Sequence, residues 1–240
     1  MLLCSRRNPL TALGLCVALF LPLNALCACE PEVEPTPPSS GEDLGKGDGR
    51  DVVLIGDSWM YPFIQPAVIR TTGQDYRGYA IPGVRLLPSL LSVPDQYDAA
   101  KSENPNIKTV IMTGGGNDII QVPGLKADCD AGGATCEVEV GKILAQLSTL
   151  WAEMAADGVR DVIYIQYATP DGVNVDFKVP SGDGVERRCQ NVPAPLRCHL
   201  LETVDIVQGD IPDGIHPSAQ AAERIADAVY DMMVQKGMRR

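Results

Sequence analysis

The sequence has little of what several large classes of protein need. Only 5% of its 240 residues are aromatic, and 20 lysines and arginines face 31 aspartates and glutamates, for a formal net charge of −11. A strongly acidic chain without a basic stripe is a poor partner for nucleic acid or for an anionic membrane surface. We therefore expect no nucleic-acid partner.

Histidine is also scarce, since the chain has only His199 and His216. A base that works near neutral pH is most often a histidine, so these two residues are the candidates for a catalytic base. The G-x-S-x-G segment of α/β-hydrolases is absent. We expect no metal or organic cofactor. Asp128 and Asp130 suggest a calcium loop, but the rest of the EF-hand spacing is missing.

The N-terminal 28 residues have the layout of a secretory signal, in which Arg6 and Arg7 precede a mostly apolar run. The run ends in Leu-Cys-Ala-Cys, which resembles the bacterial lipoprotein cleavage box. That resemblance implies a lipid on Cys29 and a place in the cell envelope, with membrane contact only through the lipid. An ordinary signal peptide of a secreted or periplasmic protein and an uncleaved anchor are the alternatives; Pro22 and Asn24 interrupt the anchor.

Residues 29–50 are rich in proline, glycine and acidic residues and nearly lack apolar side chains. Such a segment cannot bury enough surface to order itself, so we interpret it as a tether. Residues 51–240 then form the globular domain. Removal of residues 1–28, which contain Arg6 and Arg7 and no acid, lowers the formal charge from −11 to −13.

Four cysteines remain in residues 51–240, an even number that indicates disulfides in an exported chain. Three connectivities are possible, and we favour the two local pairs. Zinc binding is the rival interpretation, but neither pair has the C-x-x-C spacing. The four are Cys129, Cys136, Cys189 and Cys198.

Apolar runs and amphipathic stretches alternate along the domain, which predicts an α/β fold with a parallel sheet of about five strands covered on both faces. Residues 169–197 read as an irregular, Gly/Pro-rich excursion. Predicted strands are 51–55, 75–80, 107–113, 161–167 and 200–206, and predicted helices are 62–70, 137–157 and 218–237, with a helical or irregular stretch over 86–100.

Four short motifs follow these strands, at the edge where ligand sites form in parallel sheets. They are Gly56-Asp57-Ser58-Trp59, Gly83, Gly115-Gly116-Asn117-Asp118 and Asp213-Gly214-Ile215-His216. Together they supply a nucleophile, a base, an acid that orients the base, and donors for an oxyanion.

Each residue has a candidate role and a simpler alternative. Ser58 is the candidate nucleophile or a helix cap, His216 the candidate base, and Asp213 its partner or a turn residue. The backbone N–H groups of Ser58 and Gly83 and the side chain of Asn117 are candidate oxyanion donors. Gly78 is the rival of Gly83, and Asp57 and Asp118 are expected to support loops rather than react.

The motif set resembles the SGNH hydrolases, the superfamily of GDSL-type esterases and lipases, over residues 51–237. The resemblance implies a flavodoxin-like three-layer α/β/α sandwich and ester hydrolysis through an acyl-enzyme. Trp59 departs from the leucine of the GDSL motif.

The substrate is a small-molecule or polysaccharide ester on this interpretation. Few aromatics and no long exposed apolar segment favour short acyl groups, such as O-acetyl groups on carbohydrate. Lipase, lysophospholipase and thioesterase activities are the alternatives within the fold, and a non-catalytic surface binding module is the rival from another class. The segment between Cys129 and Cys136 follows the Asn117 motif and is a candidate substrate gate.

Overall fold

The computed structural model describes residues 50–169 and 184–238. The predicted signal, the lipidation site Cys29 and nearly all of the tether lie outside the described residues. The segment from Glu42 to Arg240 is one compact unit, and every described core side chain belongs to it. No helix in the described residues is long and apolar enough to cross a bilayer.

Five parallel strands among residues 50–169 and 184–238 form one sheet, as predicted. In order across the sheet they are β2 (Arg77–Gly78), β1 (Val52–Ile55), β3 (Thr109–Met112), β4 (Asp161–Ile165) and β5 (Arg197–Leu201). Every residue of β1, β3 and β4 is buried, which is typical of parallel strands with both faces covered.

In the described part of the chain, eight α-helices connect and cover the strands, and an irregular π-helical segment, Trp59–Ile64, leads into the first. The helices are α1 (Gln65–Thr72), α2 (Val93–Glu103), α3 (Gly116–Ile120), α4 (Leu125–Asp130), α5 (Ala134–Ala156), α6 (Val185–Gln190), α7 (Val204–Val207) and α8 (Ala219–Gln235).

The helices pack in two layers, which confirms the three-layer sandwich. On one face α1 and α8 are neighbours, joined by the ion pair of Arg70 with Glu223. On the other face Lys101 of α2 bonds Glu153 of α5 at 2.5 Å. Right-handed crossovers account for this division, because the chain moves one way across the sheet from β1 to β2 and the other way from β2 to β3.

The sheet order reverses at β1, which lies between β2 and β3. The connections after β1 and β3 therefore leave on opposite faces and open a crevice at the carboxyl edge. Ser58 follows β1 and Asn117 follows β3. The fold thus brings two of the sequence motifs to the same opening.

The predicted last strand, 200–206, is wrong in position. The strand is β5, Arg197–Leu201, and Val204–Val207 is the short helix α7. Arg197 and His199 hide the strand in the sequence because they are polar, yet both bond the buried Asp161 on β4, at 2.8 and 2.9 Å. The predicted excursion 169–197 also contains a helix, α6. Residues 170–183 of the excursion lie outside the described residues.

Both local disulfides are present, as the cysteine count predicted. Cys129–Cys136 joins the end of α4 to the first turn of α5, and Cys189–Cys198 joins α6 to β5. Asp128, considered above as a calcium ligand, accepts the N–H of Cys136 at 2.7 Å. Its carboxylate therefore caps the N-terminus of α5.

We predict that Asp161→Asn lowers the free energy of unfolding at pH 7 by about 1–3 kcal/mol. The neutral amide leaves the donors on Arg197 and His199, which bond the carboxylate, poorly satisfied. Burial raises the pKa of Asp161, but bonds from His199 and Arg197 outweigh it and lower the pKa overall. A carboxyl with a lowered folded-state pKa stabilises the fold above its unfolded pKa and loses this effect as pH falls through the folded pKa.

The stability difference between Asp161→Asn and wild type should therefore persist down to about pH 4 and shrink below it. Urea titrations from pH 7 to pH 3 measure this difference. Asp231→Asn, an exposed position on α8, is the control and should change little. A difference that stays constant at the lowest pH would contradict the assignment.

Candidate active site

The turn after β1 depends on a glycine. Gly56 has φ +144°, and a Cβ at this position would lie 2.2 Å from Thr113 Oγ1. The Gln96 side chain on α2 satisfies both backbone groups of Gly56, accepting from its N–H at 2.6 Å and donating to its carbonyl at 2.9 Å. The chain therefore leaves β1 in one fixed direction, toward Ser58.

Asp57 is buried beside Ser58 and accepts three hydrogen bonds. The donors are the backbone N–H of Trp59 at 3.1 Å, the Thr113 hydroxyl at 3.1 Å and the Tyr167 hydroxyl. Burial raises the pKa of Asp57, and the bond from Tyr167 is the largest opposing effect. The side chain supports the turn, as the sequence analysis expected.

Asp213 and His216 lie in one tight turn. One carboxylate oxygen of Asp213 accepts the N–H groups of Ile215 and His216, at 2.9 and 2.7 Å, and the other accepts from His216 Nδ1 at 2.7 Å. The backbone bond from His216 contributes most to lowering the pKa of Asp213. The carboxylate thus fixes both the turn and the imidazole ring.

The imidazole also reaches Ser58, because His216 Nε2 is 2.8 Å from Ser58 Oγ. A carboxylate only accepts, so Nδ1 carries the proton donated to Asp213. In the neutral ring Nε2 is then free to accept the Ser58 hydroxyl proton. The structure therefore brings three of the sequence-predicted residues into one hydrogen-bonded line.

Two aromatic side chains contact the residues of this line, and no local sequence pattern predicts their contacts. Phe63 stacks on the His216 ring, with centroids 5.3 Å apart and planes 22° from parallel. Trp59 is buried and donates its indole N–H to the carbonyl of Ile215 at 2.6 Å. A leucine at position 59 could not make this bond, so the departure from the GDSL motif supplies a direct link between the two motifs.

Two side-chain hydrogen bonds connect the helix that carries Asn117 with the loop that carries Gly83. Asn117 Nδ2 donates to the carbonyl of Val84 at 2.8 Å, and Gln121 Nε2 donates to that of Gly83 at 2.7 Å. Gly83 has φ +80°, a conformation that favours glycine. Gly78, the rival candidate, lies inside the sheet and pairs with Leu54.

Asp118 supports the loop that follows Gly83. Its buried carboxylate accepts the N–H groups of Leu86 and Leu87, at 2.7 and 3.0 Å, and pairs with Arg85 at 3.3 Å. Burial raises the pKa of Asp118, while these bonds and the guanidinium oppose the rise. The expected loop-supporting role matches these contacts.

Tyr167, just beyond β4, joins the two halves of the site. Its hydroxyl bonds Asp57, and a Cβ on Gly116 would lie 3.3 Å from its ring. The ring also meets Trp59 edge to face, with centroids 5.2 Å apart. A sequence signal for this residue exists, because a tyrosine at the carboxyl end of the predicted strand 161–167 lies at the same edge of the sheet as Ser58.

His199 does not join this site, since it lies on β5 and bonds Asp161. Among residues 50–169 and 184–238, no group of three or more His, Cys, Asp or Glu side chains is arranged to hold a metal ion. The arrangement that remains can remove a proton from Ser58 and return it through His216.

We predict that Trp59→Phe loosens the turn that carries Asp213 and His216, because phenylalanine keeps the ring contact but cannot donate to Ile215. A lost hydrogen bond of about 1 kcal/mol corresponds to about fivefold faster amide exchange where local opening controls exchange. Hydrogen exchange at Ile215 and His216, resolved by NMR, measures the effect.

Trp151→Phe is the matched control, since the indole nitrogen of Trp151 is buried and has no hydrogen-bond partner within the described part of the chain. This variant should leave exchange at both amides unchanged. Equal exchange in the two variants would show that the indole bond does not hold the turn.

No family model and no curated protein matches the sequence. Among solved structures, the lipase Lip_vut3 from a goat rumen metagenome has a TM-score of 0.56 at 16% identity, over 75% of this chain and 95% of the lipase. Est24, a carbohydrate acetylesterase from Sinorhizobium meliloti, has a TM-score of 0.49 at 16% identity, over 77% of this chain and 98% of its own.

Est2A, an acetyl xylan esterase from the rumen bacterium Butyrivibrio proteoclasticus, has a TM-score of 0.49 at 11% identity and covers 80% of this chain and 65% of its own. At such identities a structural likeness establishes the fold, and the likeness to the lipase is the stronger one. The chain therefore has the fold of the SGNH hydrolases, the superfamily that its four motifs resemble.

Proposed function

We propose that this protein is a serine esterase that hydrolyses carboxylic esters through an acyl-enzyme. The observation that carries the proposal is the line from Asp213 through His216 to Ser58, with bonds of 2.7 and 2.8 Å. Ser58 attacks the ester carbonyl while His216 Nε2 takes its proton. His216 then returns the proton to the leaving alcohol, and a water repeats the sequence to release the acid.

Asp213 has two tasks in this mechanism. It holds Nδ1 protonated, which keeps the accepting nitrogen toward Ser58, and its charge stabilises the imidazolium that forms. The lowered pKa of Asp213 keeps the carboxylate ionised in acidic solution. Phe63, stacked on the ring, offers its π face to the same cation.

The oxyanion that forms on the ester carbonyl needs donors held in place before the reaction. We assign this role to the backbone N–H groups of Ser58 and Gly83 and to the side chain of Asn117. Asn117 is buried and its amide is oriented by the bond to Val84, which uses one of its two N–H donors. The second N–H is then available for the oxyanion.

Short acyl groups, such as O-acetyl groups on carbohydrate, are the substrate class that the sequence favoured. In the structure, Leu90 and Leu91 form a short exposed apolar tip. This observation favours the second candidate, a lipase or lysophospholipase activity. Hydrolysis of p-nitrophenyl esters from acetate to long chains separates the two classes.

We predict that Ser58→Ala in the Glu42–Arg240 segment abolishes ester hydrolysis, with a rate at least about 10³-fold lower, because the variant removes the hydroxyl that bonds His216 Nε2. Asn117→Ala should lower kcat by about 10²–10³-fold with intact folding, as expected for one oxyanion donor. Steady-state kinetics across the p-nitrophenyl series measure both effects, and circular dichroism checks folding.

A fluorophosphonate probe provides the control for the case in which none of the tested esters is a substrate. It should label wild type at Ser58 and fail to label Ser58→Ala. A folded wild-type protein that neither hydrolyses esters nor takes the probe would instead support a non-catalytic binding module.

We further propose that the protein is exported and carries a lipid on Cys29. The two disulfides support export, since such bonds persist in oxidising compartments. Cys29→Ser should abolish metabolic labelling with a radioactive fatty acid and release the protein from the membrane fraction. Label retained by the variant would contradict lipidation at this cysteine.

A further inference from the structure

Exposed apolar side chains are concentrated at the carboxyl edge of the sheet. Eight large hydrophobic residues in the described part of the chain are exposed, and six of them lie in connections that follow β1, β2, β3 and β5 at this edge. The six are Tyr61, Ile81, Leu90, Leu91, Ile120 and Ile215. The other two, Val138 and Val234, lie on α5 and α8.

Hydrogen bonds attach three of these residues to the neighbours of Ser58 in the turn after β1. Ile81 donates its N–H to the carbonyl of Gly56 at 3.1 Å, Tyr61 donates to that of Asp57 at 3.1 Å, and Ile215 accepts from Trp59. Ile120 precedes Gln121, which donates to Gly83. The backbone of these residues therefore lies next to the loops that carry Ser58 and Gly83.

Leu90 and Leu91 form a projecting tip with a fixed base. The chain closes on itself between Arg85 and Val93, whose N–H donates to the Arg85 carbonyl at 2.9 Å. Leu86 is fully buried beneath the base, whereas Leu90 and Leu91 are 94% and 56% exposed. Two adjacent leucines held out in water are unfavourable unless another apolar surface covers them.

The four described segments that carry these residues have little free charge, although the chain carries −11. Residues 58–64, 79–92, 116–123 and 211–217 contain only three charged side chains, Arg85, Asp118 and Asp213. Arg85 pairs with Asp118 at 3.3 Å, and Asp213 bonds His216. All but two of the 31 aspartates and glutamates therefore lie outside these four segments.

We propose that this edge docks onto an uncharged lipid surface, with Leu90 and Leu91 inserted, and takes its ester substrate from that surface. The proposal rests on the proposed function, because whatever covers this edge must present an ester carbonyl to Ser58. An apolar surface that displays carboxylic esters is a lipid surface. An anionic surface is unsuitable, since the acidic remainder of the chain is repelled by it.

The test is cosedimentation of the Glu42–Arg240 segment with vesicles of ether-linked phosphatidylcholine, which has no ester to hydrolyse. Wild type should bind, and Leu90→Gln/Leu91→Gln should bind at least tenfold more weakly. Val138→Gln/Val234→Gln is the matched control, with two exposed apolar side chains removed elsewhere, and should bind like wild type. Vesicles containing anionic phosphatidylglycerol should bind wild type less well at low salt.

Activity provides the second readout. The Leu90/Leu91 double variant should hydrolyse dissolved p-nitrophenyl acetate within twofold of wild type, yet hydrolyse a medium-chain ester carried in the vesicles at least tenfold more slowly. Ser58→Ala should lose both activities and still bind vesicles. Failure of the esterase proposal alone would therefore appear as vesicle binding without hydrolysis.

Three outcomes would overturn the docking proposal. One is wild-type protein that does not sediment with the phosphatidylcholine vesicles, and another is equal binding by the Leu90/Leu91 variant. The third is a wild-type dimer that the variant abolishes without any vesicle binding, since the leucines would then cover a second copy of the chain.

Discussion

The burial of the Asp57 carboxylate constrains the whole site. A carboxylate removed from water must be hydrogen-bonded, and its partners come from three places in the chain: the turn after β1, Thr113 after β3 and Tyr167 after β4. Satisfying this one group therefore fixes three connections against each other. Ser58 is the next residue, so its position follows from the same constraint.

A second chain of contacts extends from this carboxylate to the base. Tyr167 packs edge to face on Trp59, and Trp59 bonds the turn that carries Asp213 and His216. The proposed nucleophile and the proposed base come from opposite ends of the domain, and aromatic side chains join them across the top of the sheet. Asp213 remains outside this network and organises its own turn by local hydrogen bonds.

Much of this arrangement could be predicted from the sequence because its signals are local. Apolar strands that end in glycine located β1 and β3, and the motifs beyond them located Ser58 and Asn117. Strand β5 was misplaced because Arg197 and His199 are polar and owe their position to Asp161, a partner distant in the sequence. The contact of Trp59 with Ile215 spans 156 residues and has no local signature.

The exposed leucines were missed for a related reason. In the sequence, Leu86, Leu87, Leu90 and Leu91 form similar pairs around Pro88-Ser89, and nothing local says which pair is buried. In the structure, the buried Asp118 carboxylate accepts the N–H groups of Leu86 and Leu87 and holds that pair toward the interior. The second pair is then left outside by the closure of the chain at Val93.

This closure makes the tip, residues 88–91, a self-contained module. Its two ends meet at the base, so the length and composition of the tip can vary without disturbing the sheet, the carboxylate network or the catalytic line. Replacement of the tip would then direct the proposed esterase toward different surfaces. In an evolving lineage, substrate presentation could change through a few codons while the chemistry stayed the same.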